Sequence, residues 1–293
     1  RNLLEGIRDD EKVISILPME RSLIENPEGH FLMFATANGR IKKSKLSEYS
    51  RINRNGKFAL KFADGDSDNL VSVRPATDAD HVVLVSASGN ACRFMPSEEK
   101  TRASPETGET VTTYVVRVQG RISQGVSGMK LAKGDKVIGM IVTDDFDTSV
   151  LTISKYGMAK RSRLGSGEMV PLTEEGVAIV DESGVQVFER DGYRKTNRGT
   201  KGVRTMSLRD GDEIVSVRQI PDLGDQLFML TGSGMMIRMV SGQTKETLGK
   251  VTKGTRIMEL RNRDRTGYAD EIVFVARLPS ELISTGESLG EEE

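Results

Sequence analysis

The 293-residue chain carries 42 Lys and Arg against 43 Asp and Glu, a formal net charge of −1, so bulk charge alone argues against a nucleic-acid binder. One cysteine excludes an intramolecular disulfide, and no apolar run approaches the roughly 20 residues a membrane-crossing helix needs. A hydrophobic content of 37%, a mean hydropathy of −0.37 and no Trp point to a soluble, cytoplasmic protein whose core is built from Val, Ile, Leu and Met in many thin sheets.

The chain opens on Arg1, not Met, and Asn2-Leu3-Leu4 reads as the last strand of a preceding unit, so residues 1–12 are expected to be a partial unit of a longer polypeptide. The first complete unit, 13–69, follows the acidic turn Asp10-Glu11-Lys12 with the β-branched run Val13-Ile14-Ser15-Ile16. Asn38-Gly39 between two apolar runs predicts a hairpin, and Arg54-Asn55-Gly56-Lys57 with a short strand Phe58-Ala59-Leu60 closes the unit.

The second unit, 70–136, starts from Asp68-Asn69-Leu70-Val71 and places a hairpin at Ser88-Gly89. After extra sequence at 97–117, it ends in Gln124-Gly125-Val126-Ser127-Gly128-Met129-Lys130. The third, 137–213, follows Gly134-Asp135-Lys136 and turns at Gly157. Its insertion at 164–193 reads as an added hairpin about Asp181-Glu182-Ser183, and its closing segment is Arg198-Gly199-Thr200-Lys201-Gly202-Val203-Arg204. The fourth, 214–271, follows Gly211-Asp212-Glu213, turns at Gly234 and closes with Lys250-Val251-Thr252-Lys253-Gly254-Thr255-Arg256 and a strand continuing into Ile257-Met258. Residues 272–280 supply a closing strand after Asp270-Glu271, and 281–293 form an acidic tail expected to be disordered.

Four strands per unit without helical periodicity predict an all-β fold of four-stranded antiparallel blades arranged like a propeller, because a single blade cannot bury both faces. About five blades are expected, the first incomplete.

Three columns recur around the hairpins. A hydroxyl (Thr36, Ser86, Ser154, Thr231) stands three residues before the turn glycine (Gly39, Gly89, Gly157, Gly234). A base (Lys43, Arg93, Arg161, Arg238) stands four residues after it. With about one residue in seven Lys or Arg, such a column arises by chance roughly a few times in ten thousand. A strand-end charge taken singly is as readily a solvated edge guard. As a set, equivalent positions in a ring of blades share one rim, and that rim suits a bent polyanion whose phosphates release counterions on binding. The candidate DNA contacts are therefore Lys42, Lys43, Arg93, Lys160, Arg161 and Arg238, with the closing-segment bases Arg54, Lys57, Arg198, Lys201, Arg204, Lys250, Lys253 and Arg256. No aromatic residues interleave with them, so duplex bound through its backbone is expected rather than stacked single strands.

Phe31-Leu32-Met33-Phe34-Ala35-Thr36-Ala37-Asn38-Gly39-Arg40-Ile41-Lys42-Lys43, followed by Leu46-Ser47-Glu48-Tyr49-Ser50-Arg51, closely resembles the C-terminal domain of the bacterial DNA gyrase A protein. Tyr156-Gly157-Met158-Ala159-Lys160-Arg161 and Thr200-Lys201-Gly202-Val203 are similar to its successive blades, and the resemblance covers the chain apart from the insertions and the tail. It implies a β-pinwheel whose blades exchange strands, with DNA wrapped around the perimeter so that ATP-driven strand passage introduces negative supercoils. It also implies a non-catalytic chain without cofactor, since ATP, Mg and the catalytic tyrosine act elsewhere in the enzyme. The implied partners are duplex DNA, the rest of the gyrase A protein and, through it, the gyrase B protein, in the bacterial cytoplasm at the nucleoid.

The family's Gln-basic-basic-Gly-Gly-basic-Gly heptapeptide is absent, and Asn197-Arg198-Gly199-Thr200-Lys201-Gly202 resembles only its weaker later version. Truncation explains this, or else kinship with topoisomerase IV C-terminal domains that bind without full wrapping. A protein-interaction propeller is the alternative outside DNA binding. In a DNA binder the tail, including Glu287 and Glu291 to Glu293, is expected to compete for the basic positions.

Other chemistry is weak. His30 and His81 each start an apolar strand, and Cys92 reads as a buried small hydrophobe. Asp144, Asp145 and Asp147 lack the glycine and glutamate of a calcium loop, and Gly165-Ser166-Gly167 has no helix after it. Tyr49 has no neighbouring base in sequence to activate it.

Overall fold

The computed structural model describes residues 13–51, 56–62, 67–103, 108, 110–174, 177–247, 252–260 and 270–282. After a short helix α1 (Arg21–Glu25), the chain runs through β1 (Phe31–Thr36), β2 (Arg40–Lys45), β3 (Leu70–Ala76), β4 (His81–Ser86) and β5 (Asn90–Phe94). A hairpin of β6 (Glu99–Ala103) and β7 (Thr110–Tyr114) occupies the first insertion, ahead of β8 (Val126–Ser127) and β9 (Val137–Thr143). Then come β10 (Ser149–Ser154) and β11 (Met158–Arg163), and the second insertion holds β12 (Met169–Pro171), β13 (Thr173–Glu174), β14 (Val177–Ala178) and β15 (Phe188–Arg190). The chain continues through β16 (Val203–Arg204), β17 (Ile214–Ile220), β18 (Gln226–Thr231), β19 (Met236–Val240), β20 (Thr255–Arg256) and β21 (Ile272–Leu278).

These strands build four-stranded antiparallel sheets of order β3-β1-β2-β8, β16-β5-β4-β9 and β17-β10-β11-β20, and a three-stranded sheet β19-β18-β21. The inner strands β1, β4 and β10 are buried along their whole length, which is why they read as near-continuous apolar runs. In the first and third of these sheets the two outer strands lie later in the chain than the hairpin: β3 and β8 flank β1 and β2, and β17 and β20 flank β10 and β11. A sequence repeat and a sheet are therefore out of step, each sheet being completed by strands of the following repeat.

Two compact units are distinguished. One comprises Arg1–Ser86, Cys92–Asp144 and Thr196–Gly202; its larger core gathers Met33, Ala35, Leu84, Phe94 and Met140, and a smaller one gathers Leu32, Phe34 and Leu46. The other comprises Ala87–Ala91, Asp145–Lys195 and Val203–Glu293, with a core of Leu151, Ile153, Leu227, Met229, Met258 and Val275.

The recurring residues are the joints of the hairpins. The hydroxyl column sits at a register shift in each of these four sheets, between Ala35 and Thr36, Val85 and Ser86, Ile153 and Ser154, and Leu230 and Thr231. Its oxygen accepts from the backbone after the turn: from Arg40 N at 3.2 Å, Met158 N at 3.3 Å and Met235 N at 3.2 Å. The acidic column closes the turn from the other side, with Asp68 Oδ1 accepting from Asn38 N at 2.8 Å and Asp270 Oδ1 from Ser233 N at 3.0 Å. Gly39 and Gly157 hold φ of 79°, and a Cβ there would lie 2.5 Å from the carbonyl oxygens of Met129 and Met258. Backbone approach as well as turn handedness requires glycine.

Three strand expectations are corrected. Val13-Ile14-Ser15-Ile16, the opening run of the first repeat, is not a strand, and Ile16 is 84% exposed. Phe58-Ala59-Leu60 is not a strand, and Phe58 is 83% exposed. The β2 edge it would need is taken by Val126 and Ser127, which pair with Ile41 and Arg40. After Thr255 and Arg256 the last closing strand ends, without Ile257 and Met258. The added hairpin does form: Val187 N donates to Ile179 O and Asp181 N to Val185 O, each at 2.8 Å. Residues 283–293 of the acidic tail lie outside the described residues.

Candidate nucleic-acid interface

The base four residues after the turn glycine is expected on an exposed rim; three of the four are instead buried, at 2% exposure for Lys43, 0% for Arg93 and 8% for Arg161. Each reaches diagonally across the hairpin to the first residue of the inner strand. Lys43 Nζ lies 3.8 Å from the Phe31 ring centroid and donates to Asp78 Oδ1 and Ser97 Oγ, both at 2.6 Å. Arg93 Nε donates to His81 Nδ1 at 3.3 Å. Arg161 donates to Ser149 Oγ at 3.1 Å, to Thr244 O at 2.8 Å and to Glu246 Oε2 at 2.9 Å. Arg238 is not buried; its guanidinium hydrogen-bonds Gln226 Oε1 and lies over the Phe228 ring.

The same residues anchor returning backbone. The carbonyls of Lys43, Arg93 and Arg161 accept from Gln119 N at 2.8 Å, Thr196 N at 2.6 Å and Thr247 N at 2.9 Å. The column is thus a repeated internal clamp, and the physical reason for the correction is coverage: later segments of chain lie over the strand end that the sequence alone leaves open.

Lys42 and Lys160, also expected at the interface, are buried as well. Lys42 Nζ donates to Ala59 O at 2.7 Å and Arg121 O at 2.5 Å, and Lys160 Nζ to Thr205 O at 2.5 Å. Burial pulls the pKa of both down to about 8; for Lys42 the Glu48 carboxylate opposes this and Arg121 reinforces it. Cys92, at the equivalent place in its hairpin, puts Sγ 3.0 Å from Thr196 Oγ1.

The closing-segment bases fare differently. Lys201, Arg204, Lys253 and Arg256 are exposed, and Lys57 is half-buried; none of these five side chains has an ion-pair partner among the described residues. Arg198 is half-buried and spends its guanidinium on the carbonyls of Val115 and Ser127. Arg54 and Lys250 lie outside the described residues. Glycines fix the closing loops: Gly125, Gly202 and Gly254 have φ of 74°, 73° and 73°. Four residues on, Met129, Met206 and Met258 are buried at 3%, 1% and 3%. That Gly-to-Met spacing is a repeat visible in the sequence and missed there, and it pins the loop that carries the bases. Arg40, also missed, donates to Gln124 O at 2.9 Å and Gly125 O at 2.8 Å.

Tyr49 shows no activation as a nucleophile: burial pushes its hydroxyl pKa up, and it lies 3.4 Å from Ala59 O. The Gly165-Ser166-Gly167 loop spends its Ser166 N–H on Asp191 Oδ2 at 2.7 Å. No helix among the described residues is long and apolar enough to cross a membrane.

Comparison with known proteins places these features. The family described as DNA gyrase C-terminal domain, beta-propeller, matches residues 30–77, 110–144, 187–221 and 225–266. The DNA gyrase A protein of Rickettsia prowazekii (strain Madrid E) is 28% identical over 282 residues, covering 89% of this chain and 29% of the relative. The DNA gyrase A protein of Escherichia coli (strain K12) is 29% identical over 278 residues, covering 94% of this chain and 25% of the relative. The chain thus spans less than a third of the curated relatives it matches. Among solved structures, the C-terminal domain of DNA topoisomerase IV aligns with a TM-score of 0.69 at 17% identity, over 99% of this chain and 74% of that one. The DNA gyrase A C-terminal domain aligns with a TM-score of 0.58 at 20% identity, over 86% and 67%. Both likenesses concern the fold.

Proposed function

The chain belongs to the DNA gyrase C-terminal domain family of β-propellers, and on that premise we propose that it is the non-catalytic duplex-binding domain of a bacterial type IIA topoisomerase. The observation that carries this reading is the set of bases Lys201, Arg204, Lys253 and Arg256, without ion-pair partners among the described residues, on loops pinned by Gly202 and Gly254. Lys57, Arg238, Arg54 and Lys250 complete the contact set. Arg198 positions its loop, while Lys42, Lys43, Arg93, Lys160 and Arg161 hold the blades together and leave the contact set. Cations on fixed loops take backbone phosphates with no sequence reading, so binding is salt-dependent and indifferent to sequence.

The remainder of the proposal follows the family. The repeats run 13–69, 70–136, 137–213 and 214–271, the domain uses no cofactor of its own, and it works in the bacterial cytoplasm joined to the rest of the gyrase A protein and, through it, to the gyrase B protein. It bends DNA so that ATP-driven strand passage elsewhere in the enzyme introduces negative supercoils. The missing heptapeptide favours a second reading, binding without full wrapping in the manner of topoisomerase IV domains.

One assay separates these. The chain is bound to relaxed circular DNA, treated with a nicking-closing enzyme, and the linking number is read. A shift supports wrapping; retardation without a shift supports the second reading. Failure to retain any duplex at low salt overturns both.

A further inference from the structure

The second compact unit contains a cavity of about 60 Å³ between the base of the second insertion and β16. Five cationic side chains line it, Lys160, Arg163, Arg190, Arg194 and Arg204, together with Tyr193, and no carboxylate belongs to the lining. Three of these residues, Arg190, Tyr193 and Arg194, come from the insertion or its return and have no counterpart in the repeat.

The charges are not all spoken for. Arg163 is compensated by Asp147 at 2.9 Å and Asp191 at 3.4 Å. Arg190 gives one Nη1 donor to Gly167 O at 2.7 Å and has no ion pair among the described residues. Neither Arg194 nor Arg204 has a side-chain partner among them. Lys160 Nζ donates to the carbonyl of Thr205, so it lends the recess charge rather than a contact; burial lowers its pKa to about 8, and at neutral pH it remains mostly a cation. The Tyr193 hydroxyl is held by Thr205 and Ser162, and burial raises its pKa, so it remains a neutral phenol.

Like charges gathered around a recess without a carboxylate repel one another, and an anion relieves that repulsion. Guanidinium groups match tetrahedral oxyanions with paired donors. One water needs only about 10–15 Å³ of such space, so the recess has room for one small oxyanion.

We propose that this cavity seats one phosphate group. Resting on the duplex-binding reading above, the backbone of bound DNA is one source of that group and free phosphate the other; the insertion then adds a contact that the plain repeat lacks.

The test uses the 293-residue chain and the double variant Arg190→Gln/Arg194→Gln, leaving Arg204 and the repeat bases intact. Duplex affinity is measured against salt, and inorganic phosphate is titrated separately by ³¹P line broadening. A salt slope smaller by about one unit in the variant, with affinity about threefold to tenfold lower, supports the backbone as source. Saturable broadening that the variant abolishes, with duplex binding unchanged, supports free phosphate. If the variant binds duplex as the parent does and phosphate is not broadened by either, the seat is overturned while the duplex reading stands. If the parent binds phosphate saturably but no duplex, the seat stands and the duplex reading falls; if it binds neither, both fall. Should the double variant melt early, Arg194→Lys keeps the charge but removes the paired donors, and the same two measurements decide.

Discussion

Lys43 Nζ lies 2.6 Å from Oδ1 of Asp78, with the lysine side chain 3% exposed and the aspartate 66%. The cation is inside the sheet and its counterion is at the surface, in the turn after β3. The pair ties the hairpin of one repeat to the turn that follows the first strand of the next.

Removing the exposed member alone strands the buried one. Asp78→Asn is expected to lower stability by about 1–2 kcal/mol, read from the urea midpoint, with duplex affinity of the folded protein unchanged. Burial pushes the Asp78 carboxyl pKa up, but hydrogen bonds from Lys43 and Ser97 prevail and hold it below the usual aspartate value. Its contribution is therefore complete above the unfolded pKa and lost as pH falls through the folded one. Acid titration of the parent below about pH 4 should show a loss of stability that is smaller in the variant.

The turn glycines are separable by what a Cβ would meet. Gly39→Ala and Gly157→Ala combine positive φ with a 2.5 Å approach to a carbonyl oxygen, whereas Gly234 at φ 84° faces open space. The first two should cost about 3 kcal/mol or more, and Gly234→Ala only about 1 kcal/mol, the left-handed backbone penalty alone. Equal costs at all three in urea denaturation would show that the approach of Met129 and Met258 is not the constraint.

Lys160 offers a pH signature. Its folded pKa is about 8 against 10.5 for the free side chain, so between those values the unfolded chain holds more protons than the folded one. Stability contributed at this site therefore rises as pH climbs from about 8 towards 10.5, and the burial penalty is fully present below 8. Relative to the parent, Lys160→Met should flatten that alkaline rise in the urea midpoint; identical pH profiles would refute it.

Removal of the outward bases should be felt by DNA and not by the fold. Lys253→Gln and Arg256→Gln are each expected to weaken duplex binding equally for all sequences and to reduce the salt slope by about 0.9 per lost contact. Their melting temperatures should match the parent. A loss confined to particular sequences would contradict backbone recognition.

Much of the fold was legible because its joints are local. Asn38-Gly39 lies between two apolar runs of one hairpin, so the turn and its flanking strands follow from spacing, whereas the register shift at Thr36 emerged only from the strand pairing. The interface was less legible because Lys43 and Lys201 look alike as letters. Their fates depend on segments far along the chain: Asp78 and Ser97 for Lys43, Glu246 for Arg161. Phe58-Ala59-Leu60 failed as a strand for the same reason, since Val126 and Ser127 hold the edge it needed.

From the sequence alone came the all-β class, the repeat and its hairpins, set by short-range backbone chemistry that a single chain displays, and the family resemblance, carried by matching residue motifs. Only the tertiary structure decided which bases face solvent. Segments contributed by later parts of the chain cover Lys43, Arg93 and Arg161 and leave Lys201, Arg204 and Arg256 outside, and a buried charge persists only where distant chain supplies its hydrogen bonds and counterions.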